Sequence, residues 1–303
     1  MKNIKLLFPQ SLDEAIALLA EYGDEAKVIA GGTALTIMLK HNLVDPSVLV
    51  SLQDLDELRG FAHAVPANAG SGSTGGELRF GALRTIRFGE TSPVVRAANP
   101  VLAETFGKVA SVRVRCAATI GGNMTEADYA SDPPGVLVAM GARVKAVGPD
   151  GEREIPLGEF FEDFYTTSLA EGEILTEVIV PDPAATSAAT YLKFSSRSSE
   201  DRPCVGVSAV VDLAEDGTCR DLSVVVSAVS EVPVKLAAVE ELARGHALDA
   251  GLIGEVAAGY CDGIEPLSDL RGSAWYRKQV VRALVRRAIE GSLAKCQTAA
   301  SAS

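Results

Sequence analysis

Cysteine is scarce in this 303-residue chain and poorly placed for chemistry. The five residues are Cys116, Cys204, Cys219, Cys261 and Cys296. The count is odd and no two are near neighbours. That excludes a disulfide framework, a zinc site or an iron–sulfur cluster carried by this chain alone. Histidine is scarcer still. His41, His63 and His246 have no metal-like spacing, and no Ser–His–Asp or Cys–His arrangement suggests itself. A G-x-x-x-x-G-K-[ST] phosphate loop is also missing. No apolar run approaches the ~20 residues of a membrane span. The N-terminal apolar run is too short for a signal peptide, so a cytoplasmic location is expected. Positive charge is in deficit, with 28 basic against 40 acidic residues and a net charge of −12. A nucleic-acid or anionic-membrane surface is therefore not expected.

What remains is an ordinary globular composition, 47% hydrophobic and 22% charged. Ser11 and Glu14 form a capping box before apolar residues at helical spacing, and Gly23 stops the run. Residues 26–30 read as a buried strand, 34–41 as a helix and 48–52 as a strand, a small βαβ-like lobe. Residues 66–77 are Pro, Gly and Ser-rich and read as a loop. They contain a literal G-x-G-x-x-G at Gly70, Gly72 and Gly75. No strand leads in and a strand, not a helix, follows, so this is no dinucleotide fingerprint. A helix is expected over 92–110, a short helix over 135–141, and a hairpin turning at Pro149–Gly151. A strand spans 173–181. Strands near 190–195, 204–213 and 220–229 then precede helices near 234–244, 249–262 and 274–295, a separate α+β lobe.

Two glycine signals stand out. "VIAGGTALTIMLK" begins at Val28, and "CAATIGGNMTEADYASDPP" begins at Cys116. In each, paired glycines free backbone amides beside a hydroxyl or amide side chain, which suits an anion. Two such turns could grip one pyrophosphate from both sides. Asp128 and Asp132 follow. Either they meet ribose hydroxyls or they cap a helix before Pro133. The residues alone support a phosphate-bearing cofactor.

These two stretches, with "LRFGALRTI", "GEILTEVIVP" and "YLKFSSRSSEDRPCVGVSAVV", resemble the FAD-binding (medium) subunit of molybdenum hydroxylases. That family includes the carbon monoxide dehydrogenase medium subunit and the flavin domain of xanthine dehydrogenase. The resemblance implies an α+β fold: a two-lobed FAD-binding domain of the vanillyl-alcohol-oxidase-like (PCMH) kind, then a smaller domain of antiparallel sheet plus helices. The expected divisions are 1–55, 56–178 and 179–295, with a disordered tail at 296–303.

The resemblance also implies roles. Ala30, Gly31, Gly32, Thr33 and Ala34, entered from Val28 and Ile29, match the first pyrophosphate loop. Thr119, Ile120, Gly121, Gly122 and Asn123 match the second. Asp128 and Asp132 match acidic positions near the sugar, Ile174 and Leu175 apolar residues near the cofactor rings, and Lys193 a lysine beside the isoalloxazine. This chain would hold FAD and no acid–base residue of its own. The molybdenum cofactor and two [2Fe–2S] clusters would sit in a large and a small partner subunit, in a dimer of heterotrimers. Electrons from those clusters would leave through FAD to an external acceptor. Departures are Tyr129 for a proline, Glu126 for a small polar residue or histidine, and Val109 for an aromatic residue. No cysteine-bearing insertion marks the hydroxybenzoyl-CoA reductase branch. A self-sufficient flavin oxidoreductase and a non-catalytic nucleotide-binding scaffold are the competing readings. Finally, Arg277, Lys278, Arg282, Arg286 and Arg287 are expected to form a basic, solvated face on the last helix, with a docking surface for an acidic partner subunit as the alternative.

Overall fold

The computed structural model describes residues 4–64 and 75–302. Most of the glycine-rich stretch, including Gly70 and Gly72, lies outside the described residues. The chain opens as β1 (Lys5–Leu7), α1 (Leu12–Tyr22), β2 (Ala26–Ile29), α2 (Leu35–Lys40) and β3 (Val48–Ser51). The strands are parallel, in the order β1-β3-β2. Ser11 starts α1 by accepting the Glu14 amide at 3.2 Å, while Glu14 accepts the Gln10 amide at 2.7 Å. Gly23 ends it at φ +48°, where a side chain would be strained. Val48, Val50 and Leu52 pack on Ala15 in a small core.

The second lobe starts with β4 (Phe61–Ala64) and β5 (Glu77–Gly81). Six helices follow: α3 (Ile86–Thr91), α4 (Pro93–Ala98), α5 (Pro100–Gly107), α6 (Val112–Ala117), α7 (Ile120–Glu126) and α8 (Asp132–Ala139). Then come β6 (Arg143–Gly148), β7 (Gly151–Pro156), β8 (Phe161–Asp163), β9 (Thr166–Thr167) and β10 (Ile174–Pro181). Five strands form an antiparallel sheet, β4-β5-β10-β6-β7. The helix expected over 92–110 is two. Pro100 cannot continue α4, and the Asn99 side chain instead caps α5 by accepting the Leu102 amide at 3.1 Å. The expected lobe edge at residue 178 falls inside β10, whose pairing with β5 runs on to Pro181.

The third sheet is β11 (Ser187–Phe194), β12 (Val205–Leu213) and β13 (Cys219–Ser227), antiparallel in that order. Then come α9 (Ala237–Glu240), α10 (Ala250–Gly263) and α11 (Ala274–Ala302). The helix expected from 234 is shorter, since Pro233 precedes it and a 3₁₀ turn follows at Glu241–Ala243. Helices α10 and α11 cover one face of the sheet around Val207, Val224, Tyr260 and Val285. On the other face lies α8 of the second lobe, with Val136 against Tyr191. The domain boundary is thus a packed one.

Two expectations fail on the last helix. Residues 296–302 are not a disordered tail, because α11 continues through them. Cys296 is buried and its thiol meets the Val211 carbonyl at 3.4 Å, while Thr298 and Ser301 bond carbonyls four residues back. Alanines, the best helix formers, extend a helix that packing has already nucleated. Arg277 does not belong to the solvated basic face either. It is 0% exposed and bonds the Asp269 carboxylate and the Ala228 carbonyl. Helical spacing alone does not reveal that α11 begins inside the protein.

Candidate functional site

Strand β2 delivers the first glycine loop to the C-terminal edge of the parallel sheet, a usual place for ligands in such layers. Gly31 is held against α6. A Cβ there would lie 2.1 Å from the Ala117 carbonyl oxygen and 2.9 Å from its carbon, so only hydrogen fits. Gly32 takes φ +68°. Two of the loop's carbonyls are used: Gly32 O accepts the Thr36 amide at 3.1 Å and its hydroxyl at 2.6 Å, and Ala34 O accepts the Ile37 amide at 2.9 Å. Its amides are not. Among the described residues, the N–H groups of Gly31, Gly32, Thr33, Ala34 and Leu35 donate to nothing in the chain. Five successive unpaired amides form an anion cradle.

The second glycine signal has a different structure. It is no turn but the first turn of α7, with Thr119 as its N-cap. Its leading amides are all engaged. Ile120 N–H donates to Arg84 O at 2.7 Å and Gly121 N–H to Ala82 O at 2.9 Å. Gly122 N–H donates to Thr119 Oγ1 at 3.0 Å and Asn123 N–H to Thr119 O at 2.9 Å. Gly121 is glycine for packing, since a Cβ would sit 2.6 Å from the Ala82 Cβ. The expected two-sided grip by amides therefore becomes one-sided: residues 31–35 offer donors, and α7 supplies a wall. Sequence spacing cannot show that strand edge and cap have already used the second set.

Between these elements runs a groove of about 340 Å³. Of the expected site residues, Val28, Ile29, Ala30, Gly31, Gly32, Thr33, Ala34, Thr119, Gly122, Asn123, Asp128 and Asp132 line it. The others do not. Ile120 and Gly121 are buried behind the wall. Ile174 and Leu175, expected near the cofactor rings, are buried in the cores of the first and second lobes. They alternate inward along β10, so their apolar character reflects packing. Lys193 lies behind Asp132. Val109, noted in the sequence as standing where relatives have an aromatic residue, does line the groove. With Ala110, Val114 and Ala118, which the sequence did not single out, it gives an apolar side suited to a flat ring, and the charged run Glu200–Arg202 reaches in from the third sheet.

The acidic end is asymmetric. Asp128 is buried, accepts the Ala130 amide at 3.1 Å, and pairs with Arg202 Nε at 2.7 Å. Asp132 accepts the Tyr191 hydroxyl at 2.6 Å and Lys193 Nζ at 2.9 Å. Burial raises the Asp132 carboxyl, and Lys193 and Tyr191 oppose that rise. Lys193 also donates to Lys108 O at 2.9 Å, and its side chain is 7% exposed, so it is no surface lysine. Replacing Lys193 by Met strands the buried Asp132 without its cation. A loss of about 3 kcal/mol is expected, checked by chemical denaturation of the flavin-free chain. Glu126 faces the groove, and burial, with repulsion from Asp128, pushes its carboxyl up to about 7 against the pull of Arg202.

Behind the loop that carries Asp128 is an ion-pair cluster. Asp269 Oδ2 accepts the Tyr129 hydroxyl at 3.0 Å and Arg271 Nη1 at 2.8 Å, and its other oxygen takes the Arg271 amide and buried Arg277. Tyr129 O accepts the Ala228 amide at 3.0 Å. A wider depression of about 520 Å³ lies on α11 among Gln279, Arg282, Arg286 and Arg287. It is the open side of one helix and shares no lining residue with the glycine-loop groove.

Comparison with known proteins identifies the family. Residues 2–183 match the family described as the FAD binding domain in molybdopterin dehydrogenase. Residues 190–292 match the CO dehydrogenase flavoprotein C-terminal domain. The 6-hydroxypseudooxynicotine dehydrogenase complex subunit alpha of Paenarthrobacter nicotinovorans is 32% identical, over 93% of this chain and 92% of that one. The carbon monoxide dehydrogenase medium chain of Hydrogenophaga pseudoflava is 31% identical, over 95% and 96%. A solved carbon monoxide dehydrogenase from that organism, lacking the Mo-pyranopterin moiety, superposes at TM-score 0.90, covering 97% of this chain and 98% of its own. Quinoline 2-oxidoreductase from Pseudomonas putida 86 superposes at 0.87 with 28% identity, over 98% and 99%. The chain belongs to the FAD-binding subunits of molybdopterin dehydrogenases.

Proposed function

Starting from that membership, we propose that this chain is the FAD-holding subunit of a multi-subunit molybdenum dehydrogenase. It carries electrons from [2Fe–2S] clusters in a small partner subunit to an external acceptor, while substrate is oxidised at a molybdenum centre in a large one. The observation that carries the reading is the row of five unpaired amides at Gly31–Leu35, where a pyrophosphate needs donors. The residues present fit FAD. The amides and the Thr33 hydroxyl would hold the two phosphates. Asp128 and Asp132 would accept from sugar hydroxyls. Val28, Val109 and Val114 would exclude water from a ring system. Bound FAD supplies the redox chemistry, and the chain supplies position and electrostatics. The residues expected to hold it are Val28–Ala34, Thr119, Gly122, Asn123, Asp128 and Asp132. We place the complex in the cytoplasm as a dimer of heterotrimers.

Purification under native conditions tests this. The expected result is yellow protein that releases FAD on denaturation and co-purifies with two further polypeptides containing molybdenum and iron. A colourless chain, or one that turns over a small organic substrate alone, contradicts it.

A further inference from the structure

The cofactor groove is already rich in negative charge. Its charged lining residues are Glu126, Asp128, Asp132, Glu200 and Asp201, against the single guanidinium of Arg202. Asp132 is offset from behind by Lys193, and Asp128 is paired with Arg202. Glu126 has neither kind of support. It ends α7, one helical turn beyond Gly122, and so faces the groove from the same side of the helix. Among the described residues it has no hydrogen-bond or ion-pair partner. The groups around it are Asp128 on the loop to α8, Asp132 on α8, Tyr165 in the β8–β9 turn, and Glu200, Asp201 and Arg202 on the loop after β11.

We propose that Glu126 binds the cofactor as a neutral carboxylic acid, so that FAD loading above neutral pH takes up a proton. This rests on the reading that the groove holds FAD. A half-buried carboxyl beside another carboxylate and facing a site for a dianion has two options. Ionised, it repels the pyrophosphate. Protonated, it removes one charge and offers an O–H donor to the ligand. Burial and the neighbouring Asp128 push its carboxyl up to about 7, which makes the proton cheap to acquire, and an arriving dianion raises it further. A glutamate here acts as a pH-dependent gate on cofactor retention. The departure from a small polar residue or histidine thereby gains a physical meaning.

The test is FAD affinity of the full flavin-stripped chain between pH 6.5 and 8.5, by calorimetry in two buffers of different ionisation enthalpy. The wild-type Kd should rise about tenfold across that range, with proton uptake visible as a buffer-dependent heat. Glu126→Gln is neutral at every pH and has no partner to lose. It should bind with a nearly constant Kd close to the wild type at pH 6.5, and without the buffer-dependent heat. A flat wild-type profile, or the same slope in Glu126→Gln, overturns the inference while leaving the FAD site standing. Absence of FAD binding by either protein at any pH overturns both.

Discussion

Gly31→Ala is expected to yield a folded chain stripped of flavin. The added Cβ would meet the Ala117 carbonyl oxygen at 2.1 Å and the Ala118 Cα at 3.1 Å. Both are backbone atoms, so no side chain can swing aside. The loop must move outward by about 1 Å, and a displacement of that size costs about 100-fold in a site that depends on aligned donors. The overpacking itself costs about 1–3 kcal/mol, which a domain of this size tolerates. Gly32→Ala is the informative control. Its left-handed φ of +68° costs about 1–2 kcal/mol in an alanine, but the nearest atom to the new Cβ is an ordinary 3.5 Å away. The ratio of flavin to protein absorbance should collapse in the first variant and fall only partly in the second. Equal flavin content in both would show that the Gly31 contact does not set the loop's position.

Asp269→Ala is expected to be the most destabilising single change. It removes the carboxylate facing a fully buried Arg277, and with it the partner of Arg271 and Tyr129. A buried charge left alone costs about 3–5 kcal/mol. The melting temperature should drop by roughly 10 °C. Arg277→Met should be milder, because Asp269 keeps Arg271 and the Tyr129 hydroxyl. A variant Asp269→Ala as stable as the wild type would contradict the cluster's role. The same group predicts acid sensitivity. Burial pushes the Asp269 carboxyl up, but the Arg271 amide, the Arg277 guanidinium and the Tyr129 hydroxyl outweigh that and hold it at about 2, against 3.8 as its ordinary value. A depressed carboxyl stabilises the fold above its unfolded value, so this contribution is complete above about pH 4. It disappears as pH falls towards 2, a loss of about 2 kcal/mol.

How much of this could be read from the residues differs from place to place. The capping box at Ser11, the hairpin at Pro149–Gly151 and the three C-terminal strands are local patterns, and local patterns survive folding. The glycine turn after β2 was legible for the same reason. The role of "TIGGN" was only half legible. Its glycines mark a close approach, but the residue that makes Gly121 necessary is Ala82, nearly forty positions away. Ile174 and Leu175 show the same limit, since an apolar strand residue looks alike whether it faces a ring or a core. Arg277 is the extreme case. Its sequence neighbours suggest a solvated face, and only the meeting of α11 with Asp269 and Ala228 explains a buried guanidinium. Glu200–Arg202 reach the groove from another domain, which no spacing along the chain encodes.

The central claim is that the amides of Gly31–Leu35, and not those of Ile120–Asn123, receive the cofactor. Hydrogen exchange of the full chain with and without FAD separates the two. The account predicts strong slowing across Gly31–Leu35 on adding FAD and little change at Ile120–Asn123, whose amides are already bonded. Unchanged exchange at Gly31–Leu35, with protection appearing elsewhere in the chain, would contradict it.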